Sequence, residues 1–457
     1  MRRPLRSIPS LALLAALTAC GKPAAKAPAS AADAAAPAPT PAPAAAPAAD
    51  AAPTPNPAGA SPPGENPAPP AQRTPEEQAA LEAKAAEAIR ALADAQAKLD
   101  VQRGGVLYAK LCALCHGPER KGYAADNAPS LVSPTFLESA DDAFLASSIA
   151  KGRPGTAMAA YSAAVGGPLQ PADIRALVRF LRAGAPDIAA LDQRIPEGDA
   201  VEGGKIFDAQ CASCHGSPTQ RRTAVHLFNR QFLTDASDAY LRHAIENGRP
   251  GTPMVAYGEK LQPKDIEHLV TYLRSMAKPP ASPPPMPEGL PPTPPRTGPI
   301  VINPKGKPAR FTKLREGRYA PIDEVAKALK EGRRIVFADA RAPSDWAMMH
   351  IEGAISTPYY DTKTLDDIPN DGTAVIAYCA CPHHASGAVV DELRKRGFKH
   401  AYVLDEGVFA WEKKGYPVVK AAGQAAIPAP PPGEHLAPGA REGGAAAPTG
   451  HEGHGHD

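Results

Sequence analysis

A chain of 457 residues has room for about three domains of ~150 residues each, yet 55 prolines and long runs of alanine withdraw much of it from any core. Lys and Arg total 50 against 48 Asp and Glu, so the balance leaves no electrostatic footprint for nucleic acid and no net field to gather acidic substrates. The Pro/Ala-rich stretches lack the apolar residues needed to offset the entropy of ordering, which leaves 100–185, 197–277 and 313–420 as compact regions.

At the N-terminus, Arg2, Arg3 and Arg6 precede an apolar run over 11–17 and small residues before Cys20. This is the layout of a secretory signal, too short to span a bilayer. Leu17-Thr18-Ala19-Cys20 resembles a bacterial lipobox, which implies that residues 1–20 are a signal peptide and that Cys20 is acylated. The resemblance predicts a periplasm-facing lipoprotein of the bacterial cell envelope, held to the membrane by lipid alone. Gly21 leaves the choice of inner or outer membrane open. Residues 21–73 read as a disordered tether. Thr74-Pro75-Glu76-Glu77 then has the cap, the N1 proline and the acidic first turn that open a helix, predicted as a spacer over 74–99.

Residues 104–182 and 203–274 repeat each other, the strongest organisational signal in the chain. Gly104-Gly105 before Leu107-Tyr108 matches Gly203-Gly204 before Ile206-Phe207. The loop from Gly152-Arg153-Pro154-Gly155-Thr156 to Met158 matches that from Gly248-Arg249-Pro250-Gly251-Thr252 to Met254. Each copy closes on an amphipathic helical pattern, with Ile174, Leu177 and Leu181 in the first and Ile266, Leu269 and Leu273 in the second.

Each copy also carries Cys-x-x-Cys-His: Cys112, Cys115 and His116, then Cys211, Cys214 and His215. Two thiols three positions apart can each form a thioether with one haem vinyl group, while the next His reaches the iron. A zinc site would need four ligands, and neither copy supplies a second cysteine pair. Both copies resemble class I c-type cytochromes, which implies two haem c groups, with Met158 and Met254 as the second axial ligands. Thioether ligation favours reduced iron, and iron with six ligands carries electrons rather than binding substrate. In the second copy His226, His243 and His268 keep a bis-His alternative open. Tyr161 and Tyr257, three residues past each Met, pack either near the haem or as ordinary core aromatics.

Beyond the Pro-rich linker 278–312, short apolar runs alternate with helical spacing. Ile335-Val336-Phe337-Ala338, Ala374-Val375-Ile376-Ala377-Tyr378 and Ala401-Tyr402-Val403-Leu404 read as buried parallel strands, and 322–331 and 387–396 as helices. Asp339-Ala340-Arg341, Trp346, His350-Ile351-Glu352-Gly353-Ala354 and the stretch from Asp405 to Trp411 resemble the rhodanese family across 313–420. The resemblance implies that Cys379, after the central strand, is a sulfur-accepting nucleophile, and that Asp339, Arg341 and His350 are structural. The loop departs from the family pattern, with Pro382 and His384 where the family has Gly and Arg. Cys379-x-Cys381 followed by His383 and His384 can form a strained disulfide, bind a soft metal such as copper, or pass a persulfide between thiols. The tail 421–457 ends in His451, His454 and His456, read as metal-binding or simply solvated.

The predicted fold is multidomain: two all-α cytochrome c domains and one α/β rhodanese-like domain, joined by Pro/Ala-rich disordered linkers. The predicted function is electron transfer through two haem c groups between redox partner proteins of the envelope, without nucleic acid. The rhodanese-like domain would add a sulfane-sulfur donor or a partner. The alternatives are a sulfurtransferase or sulfur-oxidising enzyme working at Cys379, and a metal- or sulfide-binding loop at Cys379, Cys381, His383 and His384.

Overall fold

The computed structural model describes residues 73–125, 127–277, 298–380 and 384–421. Cys20, Cys381, His383 and the three tail histidines lie outside the described residues. Among the described residues no helix is long and apolar enough to cross a membrane.

The first helix, α1 (Pro75–Leu111), opens on a reciprocal capping box, with Glu77 N–H donating to Thr74 Oγ1 and Thr74 N–H to Glu77 Oε2. It does not end near Leu99 as expected but runs unbroken to Leu111. Asp100-Val101-Gln102-Arg103 contains no stop signal, so spacer and first repeat share one helix. The first repeat continues with α2 (Ala113–His116), α3 (Pro134–Ser139), α4 (Asp142–Lys151) and α5 (Pro171–Arg182). The second runs in the same order: α6 (Ala200–Gln210), α7 (Ala212–His215), α8 (Arg230–Asp235), α9 (Asp238–Asn247) and α10 (Pro263–Met276).

In each repeat the helix before the Cys-x-x-Cys-His turn packs on the last helix, α1 on α5 and α6 on α10. The glycine pairs make that contact close. A Cβ at Gly104 would stand 2.2 Å from the Ala176 carbonyl oxygen, and one at Gly203 2.0 Å from that of His268. Tyr108, Leu177 and Leu181 are buried there in the first repeat, and Phe207, Leu269 and Leu273 in the second. Arg182 and Arg274 repeat a further device. Arg182 Nη1 donates to the Leu137 carbonyl at 2.5 Å and Arg274 Nη1 to that of Leu233 at 2.6 Å, so each guanidinium caps the short helix α3 or α8.

The repeats meet through α3 against α9 and α4 against α8. Phe144 stacks on Tyr240 with ring centroids 4.8 Å apart. The loop arginines cross this interface in both directions. Arg153 Nη1 bonds Asp235 Oδ2 at 2.9 Å, and Arg249 Nη1 bonds the Thr135 carbonyl at 3.0 Å.

The C-terminal domain is an α/β layer built on β1 (Tyr319–Ala320), α11 (Ile322–Lys330), β2 (Ile335–Asp339), α12 (Pro343–Met348), β3 (Met349–Ile351), β4 (Ile355–Ser356), β5 (Ala374–Tyr378), α13 (His384–Lys395), β6 (Ala401–Leu404), α14 (Gly407–Lys413) and β7 (Val418–Lys420). The main sheet has the order β1-β6-β5-β2-β4, with every pairing parallel. The strands β2, β5 and β6 are fully buried, as their continuous apolar runs require. Residues that composition had placed in the linker join this domain. Ile302 bridges Ile335, and Ala309 and Phe311 are buried.

A Pro-rich linker implies an α/β domain held near the repeats without being fused to them. The domain is seated on the first repeat. Ser344 Oγ donates to the Ala160 carbonyl at 2.6 Å and Tyr359 Oη to the Leu111 carbonyl at 2.6 Å. Ala342 and Tyr360 pack into the helical core, Ala157 packs against the α/β core, and α13 touches α2.

Candidate haem sites and the Cys379 loop

Cys112 ends α1 at φ −118° and ψ −35°, and Cys211 ends α6 at φ −119° and ψ −35°. From each, one helical turn carries the second cysteine and the histidine. The amides of Cys115 and His116 donate to the Cys112 carbonyl at 3.1 and 2.9 Å, and those of Cys214 and His215 donate to Cys211 at the same distances. Both thiols and the imidazole of each site therefore sit on a single turn.

The histidines are oriented by carbonyls. His116 Nδ1 lies 2.9 Å from the Pro129 oxygen and His215 Nδ1 lies 2.7 Å from the Val225 oxygen. A carbonyl only accepts, so each Nδ1 carries the proton and each Nε2 keeps its lone pair for a metal. Burial holds both imidazoles below their usual pKa, which favours the neutral form a metal requires. Burial likewise pushes the Cys112 thiol up to about 12 and Cys211 to about 11. Among the described residues no cluster of three or more His, Cys, Asp and Glu could hold a metal ion.

The methionine loops are built alike. The Arg153 amide donates to the Met158 carbonyl at 2.7 Å, and Thr156 Oγ1 accepts from the Met158 amide at 3.1 Å. The counterparts from Arg249 to Met254 and from Met254 to Thr252 measure 2.8 and 3.1 Å. Gly152 at φ +62° and Gly248 at φ +60° start the turns. A Cβ on either would stand within 2.5 Å of the backbone bearing the Met. Met158 and Met254 are both half-buried. Tyr161 and Tyr257 have a shared task that spacing did not reveal: they tie the loop to the carbonyl just before the first cysteine. Tyr161 Oη donates to Leu111 at 3.2 Å and Tyr257 Oη to Gln210 at 3.0 Å. The residues fit a covalently held haem at both places: two thiols on one turn, an imidazole presenting Nε2, and a thioether on a constrained loop.

The other histidines of the second repeat have different engagements. His268 Nδ1 accepts from the Asp199 amide at 2.6 Å, His226 Nε2 lies 3.0 Å from the Ser217 carbonyl, and His243 Nε2 lies 3.6 Å from Glu138 Oε2. These contacts favour Met254 over the bis-His alternative.

Cys379 follows β5, is 1% exposed and places its sulfur 3.3 Å from Ser386 Oγ on α13. His384 is the first residue of α13. Asp339 and Arg341 form a buried bidentate pair at 2.9 and 2.6 Å, and the guanidinium also bonds the Met349 carbonyl. His350 stacks on Trp346 and bonds its carbonyl at 2.7 Å. All three hold the framework, as expected. Sequence reasoning missed Tyr359 and Ser344, which join the α/β domain to the first repeat.

Comparison with known proteins gives the same division. Residues 99–181 and 198–273 match the family described as cytochrome c oxidase, cbb3-type, subunit III, and residues 322–414 match the rhodanese-like domain. A cbb3-type cytochrome c oxidase subunit FixP of Bradyrhizobium sp. is 29% identical over 38% of this chain and 60% of its own length. Subunit CcoP of Azospirillum brasilense is 27% identical over 36% of this chain and 58% of its own. A probable adenylyltransferase/sulfurtransferase MoeZ of Mycobacterium tuberculosis is 33% identical over 21% of this chain and 24% of its own. The chain thus spans 60% or less of these relatives. Among solved structures, a rhodanese-like domain from Anabaena sp. is 24% identical with a TM-score of 0.22, over 30% of this chain and 98% of that one.

Proposed function

We propose that this chain, which carries two cytochrome c domains followed by a rhodanese-like domain, passes electrons through two haem c groups and takes them from sulfur at Cys379, where the thiol and hydrosulfide join as Cys379–S–SH, releasing one proton to solvent and two electrons to the haems. Haem c supplies reversible one-electron exchange at its iron. The cysteine pairs Cys112/Cys115 and Cys211/Cys214 would fix the two groups. His116 and His215 would hold the iron through Nε2, and Met158 and Met254 through their thioether sulfurs. Redox partner proteins of the cell envelope would take electrons onward, and lipid on Cys20 would keep the chain at a periplasm-facing membrane surface.

The observation that carries this reading is the contact of α13, which begins beside the Cys379 loop, with α2, which bears Cys115 and His116. A sulfur site at Cys379 and a haem site at Cys112 and Cys115 would then flank one interface. The test is anaerobic addition of thiosulfate, sulfide or a persulfide to the oxidised protein, followed by visible spectroscopy. Reduction by one of these donors that fails in Cys379→Ser supports the coupling. Equal reduction of both proteins sinks it.

A second reading makes Cys379 a sulfurtransferase nucleophile, R–S–SH and Cys379–SH giving R–SH and Cys379–S–SH. The placement of Cys379 between β5 and α13 favours it. Thiocyanate formation from cyanide, lost in Cys379→Ser, would separate it from pure electron transfer.

A further inference from the structure

The duplication provides an internal control, because the same residues occur once under the rhodanese-like domain and once without it. In the first repeat Ala159, Ala160 and Tyr161, directly after Met158, are 5, 9 and 9% exposed. Their counterparts are Val255, which is 48% exposed, Ala256, which is exposed, and Tyr257, which is half-buried. The Leu111 carbonyl receives hydroxyls from both Tyr161 and Tyr359, which lie 3.3 Å from each other, whereas the Gln210 carbonyl receives that of Tyr257. Ala157 packs against the α/β core, while its counterpart Pro253 is exposed.

We propose that the rhodanese-like domain is a fixed cap over the Met158 loop, with Tyr359 and Ser344 as positioning residues. They hold the first site closed to outside ligands, while the second site opens freely. The inference rests on the reading that both repeats carry haem c. An outside ligand reaches the iron only when the methionine withdraws, and withdrawal moves the loop that bears it. At the first site that motion must also break the bond from Ser344 to Ala160 and the contact of the Tyr161 hydroxyl with that of Tyr359. At the second site the loop gives up the Tyr257 bond to Gln210, which the Tyr161 bond to Leu111 matches at the first, and moves into solvent. Two such hydrogen bonds bias opening by about 5- to 150-fold.

The probe is imidazole, titrated into the oxidised full-length protein and followed by visible spectroscopy. Two phases are expected. Sites are assigned with Cys211→Ala/Cys214→Ala, which keeps the first site, and Cys112→Ala/Cys115→Ala, which keeps the second. The first site should need at least about 5-fold more imidazole, and Tyr359→Phe/Ser344→Ala should bring it towards the second without changing haem content. A single phase in the unmodified protein overturns the cap, as does a double variant that retains both haems and an unchanged first phase. Fewer than two haems per chain overturns the underlying reading and the cap with it, whereas two haems responding equally overturn the cap alone.

Discussion

Gly104 and Gly105 are neighbours on one helix, yet they should respond oppositely to the same substitution. A Cβ at Gly104 meets the Ala176 carbonyl oxygen at 2.2 Å and Phe180 Cβ at 2.6 Å, so α1 and α5 must separate by ~1 Å to admit it. At Gly105 the nearest atom is Phe180 Cε2 at 3.2 Å, the far end of a ring that can turn aside. Overpacking of this kind costs about 1–3 kcal/mol, while replacing a mid-helix glycine by alanine returns about 0.5–1 kcal/mol. Gly104→Ala should therefore lose about 1–2 kcal/mol, and Gly105→Ala should be neutral or gain a few tenths. Urea unfolding followed by far-ultraviolet circular dichroism, on protein of equal haem content, measures both. Equal midpoints for the two variants would refute the claim that Gly104 is required by the close helix crossing.

Three further expectations concern the charged contacts. Asp235 is buried against Arg153, so Arg153→Leu should cost about 2–4 kcal/mol in chemical unfolding; a change within error would mean that the crossing pair contributes nothing. Arg341→Met leaves Asp339 buried without its cation and should cost about 3–5 kcal/mol, read from the same curves. Hydrogen bonds from Arg242, reinforced by Arg194, hold the Glu267 carboxyl at about 2 against an ordinary 4.5. A lowered pKa gives stability that is fully present above 4.5 and lost as pH falls towards 2. Glu267→Gln should flatten the pH dependence of unfolding across that window, and an unchanged slope would contradict the assignment.

The parts of the molecule that could be read from the chain are those that chemistry fixes locally. Cys-x-x-Cys-His is a covalent spacing, the Gly-Arg-Pro-Gly-Thr-x-Met loop is a backbone turn, and the strands around Val336 and Ile376 are continuous apolar runs. Periodicity also located the amphipathic helices, because their buried face needs a 3.6-residue rhythm. What escaped was carried by single residues acting across long separations. Tyr359 reaches a carbonyl 248 positions earlier and Ser344 one 184 positions earlier, and neither belongs to a pattern. Arg153 and Arg249 were visible as repeated residues, but their reach into the opposite repeat depends on an interface that spacing does not encode. The spacer helix runs past Leu99 into the first repeat because a boundary needs a stop signal, and Asp100-Val101-Gln102-Arg103 contains none. The prolines before the C-terminal domain imply only that it is held near the repeats, because linker composition does not decide whether two surfaces fit.

The most direct test of the account is the pyridine haemochrome assay on full-length protein matured with covalent haem attachment, together with the two cysteine-pair variants. The account predicts two haems per chain, falling to one when Cys112 and Cys115 become alanine and to one when Cys211 and Cys214 do. One haem in the unmodified chain, or a pair whose removal leaves the count unchanged, would contradict it.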